Sequence, residues 1–164
     1  MPPLLAVLQA LDISIPTSYN IDALVTKNLI MHSAKLCPGD VFVAYKGQKH
    51  DGRDYIPEAV KKGAAAVLYQ APENSIDFKQ GCLYIGVAQL DQQLATIAGA
   101  YYPIDYGSAR VIAVTGTNGK TSCCYYIAGL LAHLGYRLAF ATTVASGVWP
   151  DQLQPSGQTT ADVF

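Results

Sequence analysis

Charge is scarce in this chain. Of 164 residues, 11 are Lys or Arg and 12 are Asp or Glu, which leaves a net charge of −1. So neutral a chain lacks the basic surface that coats nucleic acid or holds an anionic membrane. No apolar run approaches the roughly 20 residues of a membrane span. The stretch Met1–Asp12 is apolar but has no basic residue, so it makes a poor signal peptide. It reads instead as a short helix over Leu4–Leu11. Internal repeats and low-complexity tracts are absent. Cysteine is sparse too: Cys37, Cys82, Cys123 and Cys124 form no C-x-x-C pair. That excludes a disulfide framework or a zinc site and fits a reducing cytoplasm. Cys123 and Cys124 read as small packed residues of a helix. What the chain does have is apolar mass, 51% of its residues, enough for a buried core.

The pattern of that mass predicts alternating strands and helices. Asp40–Tyr45 reads as a strand between Pro38-Gly39 and Lys46-Gly47. Asp54–Lys62 reads as a helix, with Pro57 in its first turn, Ile56, Ala59 and Val60 on one face, and Gly63 stopping it. Ala65–Tyr69 and Leu83–Ile85 read as buried strands separated by a polar loop, Ala71–Gly81. Gln89–Tyr101 is helical by the spacing of Leu90, Leu94, Ile97, Ala98 and Tyr101. The texture then breaks at Tyr102–Ser108, where Pro103 and Gly107 predict a linker. Domains are therefore expected at 1–107 and 108–164. The second opens with strand Arg110–Val114, continues as helix Thr121–Leu134 stopped by Gly135, and ends in strand Leu138–Val144. That is one β-α-β unit of a parallel sheet. Two strands and a helix bury little surface. The second domain therefore reads as unfinished, and the chain as the N-terminal fragment of a longer protein.

Thr115–Thr121 (T-G-T-N-G-K-T) lies between that strand and that helix. Gly116 and Gly119 permit a sharp turn and close approach of a ligand. The amides of Gly116, Thr117, Asn118, Gly119 and Ser122, with the helix dipole, suit an anion. Lys120 adds a mobile charge for phosphates, and the Thr121 hydroxyl suits a magnesium ion. The loop is a short form of the general phosphate loop, with Val114 where the first glycine would stand. A nucleoside triphosphate is the expected ligand.

T-G-T-N-G-K-T after a strand resembles the ATP loop of the Mur ligases. Pro38–Leu68 (P-G-D-V-F-V-A-Y-K-G-Q-K-H-D-G-R-D-Y-I-P-E-A-V-K-K-G-A-A-A-V-L) is similar to the N-terminal domain of the same family. The form T-N-G-K-T resembles the MurE branch, which adds the third residue of the peptidoglycan stem, more than the MurF branch. The resemblance implies an α/β protein. A small N-terminal UDP-sugar-binding domain would be followed by the first β-α-β unit of a P-loop parallel-sheet ATPase domain. Where the family has Asp-Ser-Arg against the UDP end of its substrate, this chain has His32-Ser33-Ala34 after Met31. Ser33 keeps a hydroxyl for a uracil or phosphate oxygen, while Lys35 or Lys49 would replace the missing arginine. Gln48, Lys49 and His50 match a segment that contacts the uridine diphosphate. Gln158, Thr159 and Thr160 resemble the motif for the muramoyl-dipeptide end.

The implied chemistry is ATP-dependent amide formation on UDP-MurNAc-L-Ala-D-Glu, with diaminopimelate or lysine as the amino acid substrate. Lys120 and Thr121 would serve phosphoryl transfer, with ATP and Mg2+ as cofactors and Thr121 as the metal ligand. The expected chain is a cytoplasmic monomer, inactive alone, binding neither nucleic acid nor membrane. Two alternatives stay open: a MurF-type ligase adding D-Ala-D-Ala, and a non-catalytic nucleotide- or UDP-sugar-binding module.

Overall fold

The computed structural model describes residues 2–16, 21, 24–47, 50–103 and 110–155. These fall into two compact units, one on each side of residues 104–109. The linker expected near Gly107 lies outside the described residues.

The first unit is a five-stranded sheet with helices on both faces. Its strands are β1 (Leu29–Ile30), β2 (Val41–Ala44), β3 (Ala66–Ala71), β4 (Ser75–Lys79) and β5 (Cys82–Ala88), in the order β1-β2-β3-β5-β4. The first four in that order run parallel, and β4 returns antiparallel along β5. Side chains of a strand alternate between faces, so a strand covered on both faces is apolar throughout. In β2, Val41 and Val43 enter one core with helices α1 (Pro3–Ala10) and α3 (Leu90–Tyr101). Phe42 and Ala44 enter the other, with Ala59 of helix α2 (Ile56–Lys61). In α1 the buried residues are Leu4, Val7 and Leu8, the spacing of one helical face.

The predicted elements of this unit form close to their expected places; β1 is an addition, and so is β4. Its segment was expected as a polar loop. The strand is at the sheet edge, where Ser75, Asp77, Phe78 and Lys79 stay exposed, so it needs no apolar alternation. Gln80 and Gly81, with φ of 55° and 76°, make the two-residue turn into β5. The helix expected from Asp54 begins as a 3-10 turn over Gly52–Tyr55 before α2.

The second unit departs from the expected parallel β-α-β arrangement. Helix α4 (Lys120–His133) forms, and Gly135, at φ 83°, closes it as the Tyr136 amide donates to the Leu131 carbonyl at 3.0 Å. The strand expected over Arg110–Val114 does not form: Val111 and Ile112 are 78% and 59% exposed. A parallel strand exists only with a ladder partner, and no described strand lies beside this run. The strand expected over Leu138–Val144 is cut short. Strands β6 (Ala139–Ala141), β7 (Ala145–Val148) and β8 (Gln152–Pro155) form an antiparallel meander instead. The break is chemical. The Thr142 hydroxyl accepts from the amides of Val144 and Ala145 and donates to the Ala145 carbonyl, which folds the backbone into a turn. Tyr125 of α4 packs edge-on against Phe140 and Trp149, with ring centroids 4.9 and 5.7 Å away.

Candidate functional site

The glycine loop leads into α4 as expected. Gly119, at φ 77°, stands at the helix N-cap with no side-chain cap, and Gly116 has φ 149°. Both values are in the region that glycine tolerates best. The Cys123 amide donates to the Gly119 carbonyl at 2.9 Å, so the amides of Lys120, Thr121 and Ser122 stand ahead of the helical ladder. They are the orphan donors of a helix start, where the dipole favours an anion. The Lys120 ammonium folds back over the loop, 2.6 Å from the Gly116 carbonyl and 3.3 Å from that of Thr117. Gly116 through Lys120 are all exposed. The Thr121 hydroxyl lies 3.3 Å from that of Thr143, a residue that sequence reasoning did not single out. The Thr142 turn places it there. Cys123 is exposed and Cys124 half-buried, so the first of the pair is not the packed residue expected. That side of α4 has no covering layer among the described residues; Tyr126 and Leu130 on it are 78% and 62% exposed.

In the first unit, Met31 and Ser33 stand just after β1. Met31 packs against the core beneath α1 and α3, and Ser33 opens a 3-10 turn over Ser33–Lys35. The Ser33 hydroxyl donates to Glu58 Oε2 of α2 at 3.1 Å. Lys62 Nζ donates to the Ser33 carbonyl at 2.7 Å and pairs with Glu58 Oε1 at 2.9 Å. Lys62 is therefore a cation beside this turn that sequence reasoning did not single out, in addition to Lys35 within the turn. The only trace of it in the sequence is the Glu58–Lys62 spacing of four along a helix. His50 is exposed at the end of the loop that follows Lys46, and its carbonyl accepts from the Gly47 amide at 3.0 Å. Gln48 and Lys49 lie outside the described residues, as do Gln158, Thr159 and Thr160. Arg53 grips Asp51 with two nitrogens, at 2.6 to 3.1 Å, and this hydrogen bonding holds the Asp51 carboxyl down at about 2. That guanidinium stiffens the loop base. Among the described residues no group of three or more His, Cys, Asp or Glu is set to hold a metal, and no helix is long and apolar enough to cross a membrane.

Comparison with known proteins gives this geometry a family. The model of the Mur ligase family, catalytic domain, matches residues 26–102, which lie in the first unit and end before the glycine loop. The 2,6-diaminopimelate-adding UDP-N-acetylmuramoyl-L-alanyl-D-glutamate ligase of Janthinobacterium sp. is 36% identical over 138 residues, covering 82% of this chain and 27% of the relative. The ligase of the same name from Coxiella burnetii is 40% identical over 121 residues, covering 74% of this chain and 25% of the relative. The chain belongs to the Mur ligase family. These curated relatives share the name of a MurE-type ligase, and the chain spans about a quarter of their length. A solved 2,6-diaminopimelate ligase superposes with TM-score 0.64 at 22% identity, covering 96% of this chain and 31% of its own, which supports the fold. MurF of Thermotoga maritima, solved in complex with ADP, gives TM-score 0.53 at 31% identity, covering 68% of this chain and 24% of its own.

Proposed function

We propose that this chain carries the UDP-sugar-binding unit and the ATP loop of a cytoplasmic ligase that extends UDP-MurNAc-L-Ala-D-Glu by one amino acid. The names of the curated relatives support diaminopimelate over lysine as that amino acid. The observation that carries the reading is the uncapped helix start at Gly119–Lys120, with Lys120 held over the loop, in a chain of this family. The substrate carboxylate attacks the γ-phosphorus of ATP, forming an acyl phosphate and releasing ADP. The amine of the incoming amino acid then displaces phosphate and forms the amide. Both partners of the first step are anions, so neutralising charge is the main task of the loop.

Lys120 leaves the carbonyls of Gly116 and Thr117 and pairs with the β and γ phosphates. The backbone from Gly116 to Gly119, with the Thr121 and Ser122 amides, cradles them. The Thr121 and Thr143 hydroxyls are hard oxygen donors 3.3 Å apart, which fits Mg2+ at Thr121. Bound there, the ion would add positive charge at the phosphates. In the first unit, Met31, Ser33, Gln48, Lys49 and His50 take the uridine diphosphate, while Gln158, Thr159 and Thr160 take the dipeptide end. The test is calorimetric titration of the chain with ATP and Mg2+, beside Lys120→Met. Wild-type binding that the variant loses by tenfold or more supports the assignment, since one charge-assisted contact accounts for about that factor. Equal binding by both refutes it. UDP-MurNAc-dipeptide, titrated against the muramoyl-tripeptide, checks the acceptor, and preference for the tripeptide would move the chain to the MurF step.

A further inference from the structure

The contact between Ser33 and Glu58 sets the direction of a hydrogen bond at the proposed uridine-diphosphate site. An ionised carboxylate accepts and does not donate. Glu58 is ionised at neutral pH, and its hydrogen bonds from Lys62 and Ser33 hold its carboxyl below the usual range. The single hydroxyl hydrogen of Ser33 therefore points to Glu58 Oε2, 3.1 Å away. Two lone pairs remain on the Ser33 oxygen for a ligand. A phosphate oxygen offers only further lone pairs, and it would bring a second negative charge beside Glu58. A ligand N–H fits instead, and the strongest donor of a uridine diphosphate is the imide N–H of its base.

We infer that Glu58 is a positioning residue: it makes Ser33 an acceptor for the uracil imide N–H, so that this turn reads the base and not the diphosphate. The inference rests on the proposed binding of uridine diphosphate at Ser33. It reverses the donor role that the sequence suggested for that hydroxyl. Lys62 supports the arrangement from behind, bonded both to the Ser33 carbonyl at 2.7 Å and to Glu58 at 2.9 Å. The turn and α2 are thereby tied through backbone and side chain at once.

Calorimetry on the whole chain tests this with two probes, uridine 5′-diphosphate and its N3-methyl derivative, which lacks the imide hydrogen. The ratio of the two affinities is the readout, because a general loss of packing lowers both alike. Wild type favours the unmethylated probe by about 3- to 10-fold or more, the worth of one neutral hydrogen bond. Ser33→Ala removes most of that preference. Glu58→Ala does the same, since the freed hydroxyl turns and donates elsewhere. Failure of wild type to bind uridine diphosphate, or an unchanged ratio in Ser33→Ala, overturns the site itself. A ratio lost in Ser33→Ala but kept in Glu58→Ala overturns the role of Glu58 alone.

Discussion

Replacing Gly52 by alanine tests how rigidly the segment beside His50 is anchored. A Cβ at Gly52 would stand 2.8 Å from the Tyr45 carbonyl oxygen, 3.1 Å from the Tyr45 nitrogen and 3.2 Å from the Ala44 Cα. All three are backbone atoms at the end of β2, and Ala44 is paired with Tyr69 in the middle of the sheet. They yield far less readily than a side-chain tip. Relief of the clash also lengthens the bond from the Gly52 amide to the Tyr45 carbonyl, now 2.9 Å. Overpacking costs about 1–3 kcal/mol, and the weakened hydrogen bond up to about 1 kcal/mol. The stiffer unfolded chain returns about 0.4–1 kcal/mol. The net loss is about 1–3 kcal/mol, which lowers the melting temperature of a unit of about 100 residues by roughly 5–20 °C. Gly99 is the control. It is exposed on α3 with no atom within 4 Å of a built Cβ, so Gly99→Ala should raise stability by about 0.5–1 kcal/mol. Thermal melts followed by circular dichroism compare the two. A Gly52→Ala protein that melts at or above wild type refutes the reasoning, and so does a Gly99→Ala protein that falls equally far.

Three further outcomes are expected. Burial pushes the Cys82 thiol up to about 11, whereas Cys37 and Cys123 are exposed, so mass spectrometry after alkylation at pH 8 should find the latter two labelled well before Cys82. The Asp51 carboxyl, held at about 2 against an ordinary 3.8, contributes fully to stability above pH 3.8 and loses that contribution as pH falls through 2. Carbon NMR titration should show the low midpoint, and Arg53→Met should return it toward 3.8. Amides of residues 110–155 should exchange faster than those of residues 41–101, because Ala128 and Ala145 are the only buried hydrophobic residues described in the second unit. Equal protection in the two units would contradict this.

The three helices and three of the five strands of the first unit, and the glycine loop before α4, were legible from the sequence alone. They rest on local causes: apolar runs between turn residues, a proline at a helix start, and glycines where φ turns positive. Position 119 could be marked as the loop's second turn because glycine suits φ 77° best. Other features depend on neighbours distant in sequence. An edge strand such as β4 has no buried face to reveal it, so only its pairing with β5 makes it a strand. Val111 and Ile112 have the composition of a strand but no ladder partner among the described residues, and composition could not supply one. The sequence placed a hydroxyl at Ser33. Its direction came from Glu58, 25 residues further along the chain and brought next to it by α2. Local chemistry thus decided which groups this protein carries, and tertiary packing decided what each of them faces.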